Sequence, residues 1–294
     1  MPATAPDLER VLDELLARAA APPAGLERLG ELRGRVVVVK YGGAAMTVPE
    51  AAAAWAGDLV LLQQAGVRPV VVHGGGPALT RTMERMGLES RFVDGHRVTD
   101  AEAAEIAEMV LSGRVNKQVV SLLQRAGSRA VGLSGTDAGT VAVVRHRPNG
   151  SDIGFVGLVG RVETGLLTLL LDNGYIPVVS STAADEDGHP HNINADVVAG
   201  ALAGALGAAE VVFLSDVEGV VAGGEVRPRL TAAEAEALVA DGVAGGGMRP
   251  KLEAAVAALR AGVPRVHLAD GRQRHALVRE LLSDHGIGTT VVAS

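Results

Sequence analysis

Four valines, Val36 to Val39, run directly into Lys40, Tyr41, Gly42 and Gly43. Consecutive β-branched residues suit a buried strand, because Val is stiff at χ1 and packs well on a pleated surface. A lysine at the end of such a strand is costly unless its ammonium meets solvent or an anion. Gly42 and Gly43 let the chain turn sharply and bring main-chain amides close to that anion. A second turn, HGGGP (73–77), closes the next strand and supplies Gly75 and Gly76 ahead of a proline that can open a helix. Successive amides backed by a helix N-terminus form an anion nest. A third turn, GGGMRPK (245–251), places Gly247 and Met248 before a helix and Lys251 in its first turn. A lysine there opposes the helix macrodipole, so an anion is expected close by.

Two further stretches carry polar groups of the right kind. DGHRVTD (94–100) offers Arg97, whose planar fork suits a carboxylate, just before a helix that Thr99 could cap. HNINAD (191–196) sets Asn192, Asn194 and Asp196 at the entry of an Ala/Gly-rich helix. Either Asn194 or Asp196 can act as the N-cap, and three polar residues exceed what one cap requires. Each glycine cluster alone reads as an ordinary tight turn. Two of them at neighbouring strand ends, one carrying a lysine, read as a site for anionic ligands. No GxxxxGK[ST] or GxGxxG occurs, which disfavours a P-loop or dinucleotide fold. HGGG resembles an esterase oxyanion loop, but no GxSxG elbow supplies a nucleophile. HPH (189–191) is short and HExxH is absent, so no metal held by protein side chains is expected.

The elements that must position these residues alternate. Strand 36–40 is followed by helix Pro49–Ala65, strand 69–72, helix Pro77–Met86, a helical region over 99–126 and strand 130–133. After an antiparallel hairpin set over 140–162 come strand 176–180, helix 195–206, strand 210–216, helices 231–240 and 248–261, strand 265–270, and a last helix and strand. Such alternation argues for a parallel sheet with helices on both faces, ligands gathering at the strands' carboxyl edge. Ahead of it, Leu8, Val11, Leu12, Leu15 and Leu16 form one helical stripe, ended by APPAG (21–25). That stripe packs either on its own domain or on another subunit.

Composition narrows the class. With 294 residues, 48% of them hydrophobic, the chain can bury a large core. A net charge of -7 without a basic tract argues against nucleic acid as partner. The absence of cysteine removes disulfides and thiolate catalysis. Asp7, Glu9, Asp13 and Glu14 come too early for a secretory leader, and the apolar run 197–209 is too short to span a bilayer. A soluble, cytoplasmic protein with no membrane partner is the expectation.

In order along the chain, KYGG, HGGGP, DGHRVTD, MVLSGRVNK, GLSG, IGFVG, NINAD, LSDVEGV, GGMRPK, VHLADG and HGIGT resemble the N-acetyl-L-glutamate kinases of the amino acid kinase superfamily. The resemblance spans about residues 36 to 292. It implies an α/β fold, a three-layer αβα sandwich with a mostly parallel central sheet and two lobes. Residues 1–25 would be the N-terminal helix and linker, 26–207 the acceptor-binding and dimerisation lobe, and 208–294 the ATP-binding lobe. It implies transfer of the γ-phosphoryl group of ATP, with Mg2+, to the side-chain carboxylate of N-acetylglutamate, a step of arginine biosynthesis. Carried over to this sequence, Lys40 and Lys251 flank the moving phosphoryl group and Asp196 holds both lysines. Gly42, Gly43, Gly75 and Gly76 supply amides to the phosphates and the reacting carboxylate, and Arg97 and Asn192 grip the α-carboxylate. Ser215, Asp216, Gly219, Gly247 and Met248 surround the nucleotide. An N-terminal helix and a segment like HALVRELLSDHGIGT (275–289) imply a homo-oligomer, dimer or hexamer, that binds L-arginine near Glu280 and Gly286.

Three positions depart from the usual pattern: Ala44 where GGNAM has Asn, Thr136 where GLSGKD has Lys, and VVSSTAADEDG (178–188) for an Ala-Pro segment. A carbamate or aspartate kinase would explain the lysine-glycine turn but not NINAD with HGIGT. Two other readings compete. One is the same transfer to a glutamate or 2-aminoadipate linked to a carrier protein, against which the acidic balance argues. The other is a non-catalytic sensor of arginine or nucleotide, against which joint retention of Lys40, Asp196 and Lys251 argues.

Overall fold

The computed structural model describes residues 12–18, 24–93, 95–283 and 285–294. Eight strands make one sheet: β1 (Val36–Tyr41), β2 (Arg68–His73), β3 (Ala130–Leu133), β4 (Ile176–Ser180), β5 (Glu210–Ser215), β6 (Arg229–Thr231), β7 (Arg265–Asp270) and β8 (Thr289–Val292). Their order is β6-β8-β7-β5-β1-β2-β4-β3. From β7 through to β3 every neighbouring pair is parallel, whereas β8 runs antiparallel to β7 and parallel to β6. The proposed lobe boundary near residue 207 does not interrupt the sheet, because β1 and β5 pair across it from Val37–Glu210 to Tyr41–Leu214.

Strand parity distributes the side chains. Val36 and Val38 of β1, with Val70 and Val72 of β2, face helices α7 (Ala195–Ala205) and α9 (Met248–Arg260) in one core. Val37, Val39, Tyr41 and Val71 face the opposite core with α2 (Pro49–Gln64), α5 (Asn116–Arg125) and α10 (Ala276–Leu282). Two apolar faces are why the strands read as unbroken valine runs rather than as alternation. Lys40 therefore falls on the α7 side, and Tyr41 on the other, where its ring stacks 3.9 Å from Trp55. A third cluster, joining α3 (Gly76–Arg85), α4 (Ala101–Glu108) and the π-helical stretch Met109–Val115, roofs the end of β2.

The hairpin 141–145 with 156–162 is antiparallel, as expected, and is extended by two short strands, 190–193 and 182–184. These carry Asn192 and escaped the sequence reading because three or four mixed residues show no period. Two local expectations are corrected. Asp100 rather than Thr99 caps α4, its carboxylate accepting from the Ala103 amide at 2.9 Å, while Thr99 Oγ1 donates to the Arg97 carbonyl at 2.8 Å. Ala24 and Gly25, read as the end of a linker, begin helix α1 (Ala24–Leu32).

The segment 12–18 is helical, and Leu15 is fully buried in the core of its own chain. Arg18 ties that segment to α2 through a 3.0 Å ion pair with the buried Asp58. Leu8 and Val11, the other end of the stripe, lie outside the described residues. Among the described residues no helix is long and apolar enough to cross a membrane.

Candidate active site

Lys40 Nζ lies 2.9 Å from Asp196 Oδ1, and Lys251 Nζ donates to Asp196 Oδ2 across 3.4 Å. The three residues reach this point from three elements: the end of β1, the first turn of α7 and the first turn of α9. Asn194 settles the capping question. Its Oδ1 accepts from the Asp196 amide at 2.8 Å and it is the N-cap of α7, which leaves the Asp196 carboxylate to the lysines. Burial works to raise the Asp196 pKa, but the two ammonium groups outweigh it and hold the carboxyl below its ordinary value. Asp196 is thus a fixed anion. It is also the anion that the lysine in the first turn of α9 called for.

Gly42 leaves room for this cluster. A Cβ there would stand 3.1 Å from Lys40 Cε and 3.3 Å from Nζ, crowding the ammonium into a new position. Gly43 follows in the left-handed region at φ 62°.

Just before Asp196 in the chain, Asn194 and Ala195 border a cavity of about 200 Å3, which Gly75, Gly76, Arg97 and Asn192 all line, with Ser181. Arg97 is buried on its wall. Its guanidinium donates to Thr80 Oγ1 at 2.7 Å and to Ser90 Oγ, with Phe92 stacked 4.7 Å from its centre. Among the described residues no carboxylate pairs with it, and burial lowers its pKa. A buried cation held by neutral groups and facing a cavity asks for an anionic ligand.

The nucleotide candidates divide. Ser215 ends β5 with its hydroxyl buried and, among the described residues, without a hydrogen-bond partner, and Asp216 follows it into solvent. Gly247 is the N-cap of α9, with Met248 next and Lys251 within the same turn. Gly219 has a packing reason of its own, since a Cβ there would meet Thr289 Oγ1 at 2.7 Å. Thr136 accepts from the Ala184 amide at 2.9 Å through its hydroxyl and ties two loops together.

Glu280 and Gly286 line a separate cavity with Arg28, Glu31, Arg229, Arg265 and His267. The Glu280 carboxylate is largely engaged there, accepting from the Ile287 and Gly288 amides at 2.7 and 2.9 Å and facing His267 Nδ1 at 2.9 Å. Burial disfavours a charged His267, but Glu210 and Glu280 on its two sides outweigh that and push it up to about 9.

Sequence reading missed His73 and Asn116, both wholly buried behind the Gly74–Gly76 turn. A lone histidine at a strand end and an asparagine in a helix carry no signal of their meeting.

A sequence profile described as the Amino acid kinase family matches residues 35–270. The acetylglutamate kinase of Symbiobacterium thermophilum is 46% identical over 95% of this chain and 99% of its own. An N-acetylglutamate synthase from Neisseria gonorrhoeae, solved with coenzyme A and N-acetyl-glutamate, superposes with a TM-score of 0.83 at 26% identity, covering 95% of this chain and 63% of that one. A second structure of a synthase from that organism, with coenzyme A and L-arginine, gives a TM-score of 0.77 at 26% identity, covering 95% of this chain and 65% of that one. The sheet order, the shared span and the identity agree that this chain belongs to the amino acid kinase family.

Proposed function

We propose that this chain transfers the γ-phosphoryl group of MgATP to the side-chain carboxylate of N-acetyl-L-glutamate, giving N-acetylglutamyl 5-phosphate and ADP. The reading rests on one observation above others: two lysines held by a buried Asp196, whose chain neighbours Asn194 and Ala195 line a cavity together with Arg97, a cation that no carboxylate among the described residues pairs with. A carboxylate oxygen of the acceptor attacks the γ-phosphorus, the bond to the β-bridging oxygen breaks, and that electron pair leaves on ADP. The acceptor is already ionised at neutral pH, so no general base is needed. Positioning and charge compensation carry the reaction.

Lys40 faces the acceptor side and Lys251 the nucleotide side of the moving group. Amides of Gly42, Gly43, Gly75 and Gly76 receive phosphate and carboxylate oxygens, while Ser215, Asp216, Gly219, Gly247 and Met248 border the nucleotide. Both Asp196 oxygens face lysines, and Mg2+ would come with the substrate, as MgATP, to compensate phosphate charge. Arginine biosynthesis in the cytoplasm is the setting that follows. ATP-dependent hydroxamate formation tests the reading with N-acetylglutamate, glutamate, N-acetylaminoadipate and aspartate side by side. N-acetylglutamate should exceed the others, and a flat response would refute the assignment.

Arg97→Lys is expected to raise KM for N-acetylglutamate at least tenfold while leaving KM for ATP within about threefold. A point charge does not replace a planar fork on a carboxylate. Steady-state kinetics in both substrates decide it, and equal weakening toward ATP would move Arg97 to the phosphate side.

The second cavity supports an L-arginine effector. Arg28, Arg229 and Arg265 line it for an α-carboxylate and the exposed Glu31 for a guanidinium, while Glu280 holds the Ile287–Gly288 turn that shapes its wall. Assembly of dimers into a ring would use the N-terminal stripe, of which Leu15 is already buried in its own chain while Leu12 and Leu16 are only partly covered. Deleting residues 1–11, which spares Leu15 and Arg18, should leave an active dimer less sensitive to arginine. A full-length dimer that ignores millimolar arginine would confine the stripe to packing within one chain.

A further inference from the structure

His73 closes β2 and faces away from Lys40, into the layer of helix α5. Its Nδ1 lies 2.9 Å from the carbonyl oxygen of Gly74, and its Nε2 lies 3.0 Å from Asn116 Nδ2. The carboxamide of Asn116 can be oriented only one way. Its Nδ2 faces two carbonyl oxygens, of Val178 at 2.9 Å and Leu133 at 3.2 Å, and its Oδ1 accepts from Lys117 Nζ at 3.0 Å. An amide nitrogen aimed at Nε2 requires a bare ring nitrogen there. The ring proton therefore sits on Nδ1 and is donated to Gly74 O. Burial keeps the imidazole neutral, moving its pKa down to about 4.

That single hydrogen bond has a consequence on the far side of the peptide. The chain contains no cis bond among the described residues, so the N–H of Gly75 points opposite to the carbonyl of Gly74. With the carbonyl turned to the ring, the Gly75 amide is turned away from it; Gly75 lines the acceptor cavity and also a second one bordered by Tyr41, Met46 and Val119. Among the described residues no main-chain carbonyl accepts from that amide. Gly132 completes the arrangement, since a Cβ on it would lie 1.9 Å from Asn116 Oδ1.

We propose that His73 is a positioning residue for phosphoryl transfer: Asn116 fixes its tautomer, and its Nδ1–H fixes the Gly74–Gly75 peptide so that the Gly75 amide meets the reacting oxygens. The proposal rests on the placement of the acceptor beside Arg97 and Gly75. An amide donor aimed at developing charge is worth more in the transition state than in the ground state, so its loss falls on kcat more than on KM.

Three substitutions separate positioning from packing. His73→Asn keeps a donor near the Nδ1 position, His73→Gln moves it to the Nε2 position, and His73→Leu fills the space without a donor. His73→Leu and His73→Gln should lower kcat by roughly 10- to 100-fold with KM for ATP little changed, and His73→Asn should recover most of that loss. Gly132→Ala, which evicts the Asn116 carboxamide, should resemble His73→Leu. Nitrogen-15 spectra of the wild-type protein should show a neutral His73 with its proton on Nδ1. Packing alone predicts the reverse order, with Leu best and Asn worst, and that order or a proton on Nε2 overturns the proposal. If Arg97→Lys raises KM for N-acetylglutamate while His73→Leu turns over normally, the relay is wrong and the acceptor site stands. If neither changes anything, the acceptor lies elsewhere and the relay fails with it.

Discussion

Lys40→Ala and Lys251→Ala are each expected to lower turnover by roughly 10²–10³-fold, with smaller changes in KM for either substrate. The expectation follows from where the chain puts the two ammonium groups. Parity sends Lys40 off the end of β1 toward α7, and the first turn of α9 brings Lys251 to the same carboxylate. A phosphoryl group in flight spreads charge over its equatorial oxygens, and two fixed cations compensate it without reorganising at the moment of reaction. Ground-state ATP has its own ion and amides, so binding suffers less than turnover. Either variant leaves Asp196 paired with the remaining lysine, which limits the cost to the fold. Steady-state and single-turnover rates measure the effect, and near-normal turnover in one variant would remove that lysine from the mechanism.

Much of this site was legible because its parts are expensive. A lysine after four valines, three glycine turns and a lysine in a helix's first turn each violate a local preference, and each violation points to an anion. The sheet was legible for the same reason that it is buried, since apolar runs of β-branched residues have few other uses. What the sequence withheld were choices between equivalents. Thr99 and Asp100 can both cap α4, as Asn194 and Asp196 can both cap α7, and only the backbone's path decides. Asn194 and Asp100 won because their side-chain oxygens reach the first free amides of their helices.

Partnerships between distant residues were withheld too. Nothing in HGGGP tells that Asn116 will stand behind the ring of His73, or that Gly132 is glycine to let it. The leucine stripe shows the limit from the other side. Its period announces a helix, but Leu15 turns into its own core while the sequence allowed a neighbour equally well.

Asp196→Asn is the substitution that separates a cap from a charge. Asparagine caps helices as well as aspartate does, so a residue used only for capping would tolerate the exchange without loss. The structure gives the cap to Asn194, and the Asp196 carboxylate has both oxygens on lysines. Losing its charge leaves two nearly buried ammonium groups facing each other across a neutral amide. Breaking a buried ion pair costs about 3–5 kcal/mol when one partner is removed. Here the lysines can relieve part of that by swinging toward the cavity or solvent. Either response spoils their aim, so turnover should fall about 100-fold, close to the loss for a lysine itself. ATP should still bind, because the freed cations remain available to its phosphates under the proposed reading, and KM for ATP should stay level or decrease. Kinetics in both substrates, read beside a thermal unfolding curve, test this directly. Full turnover in a stable Asp196→Asn protein would show that the lysines hold their positions unaided.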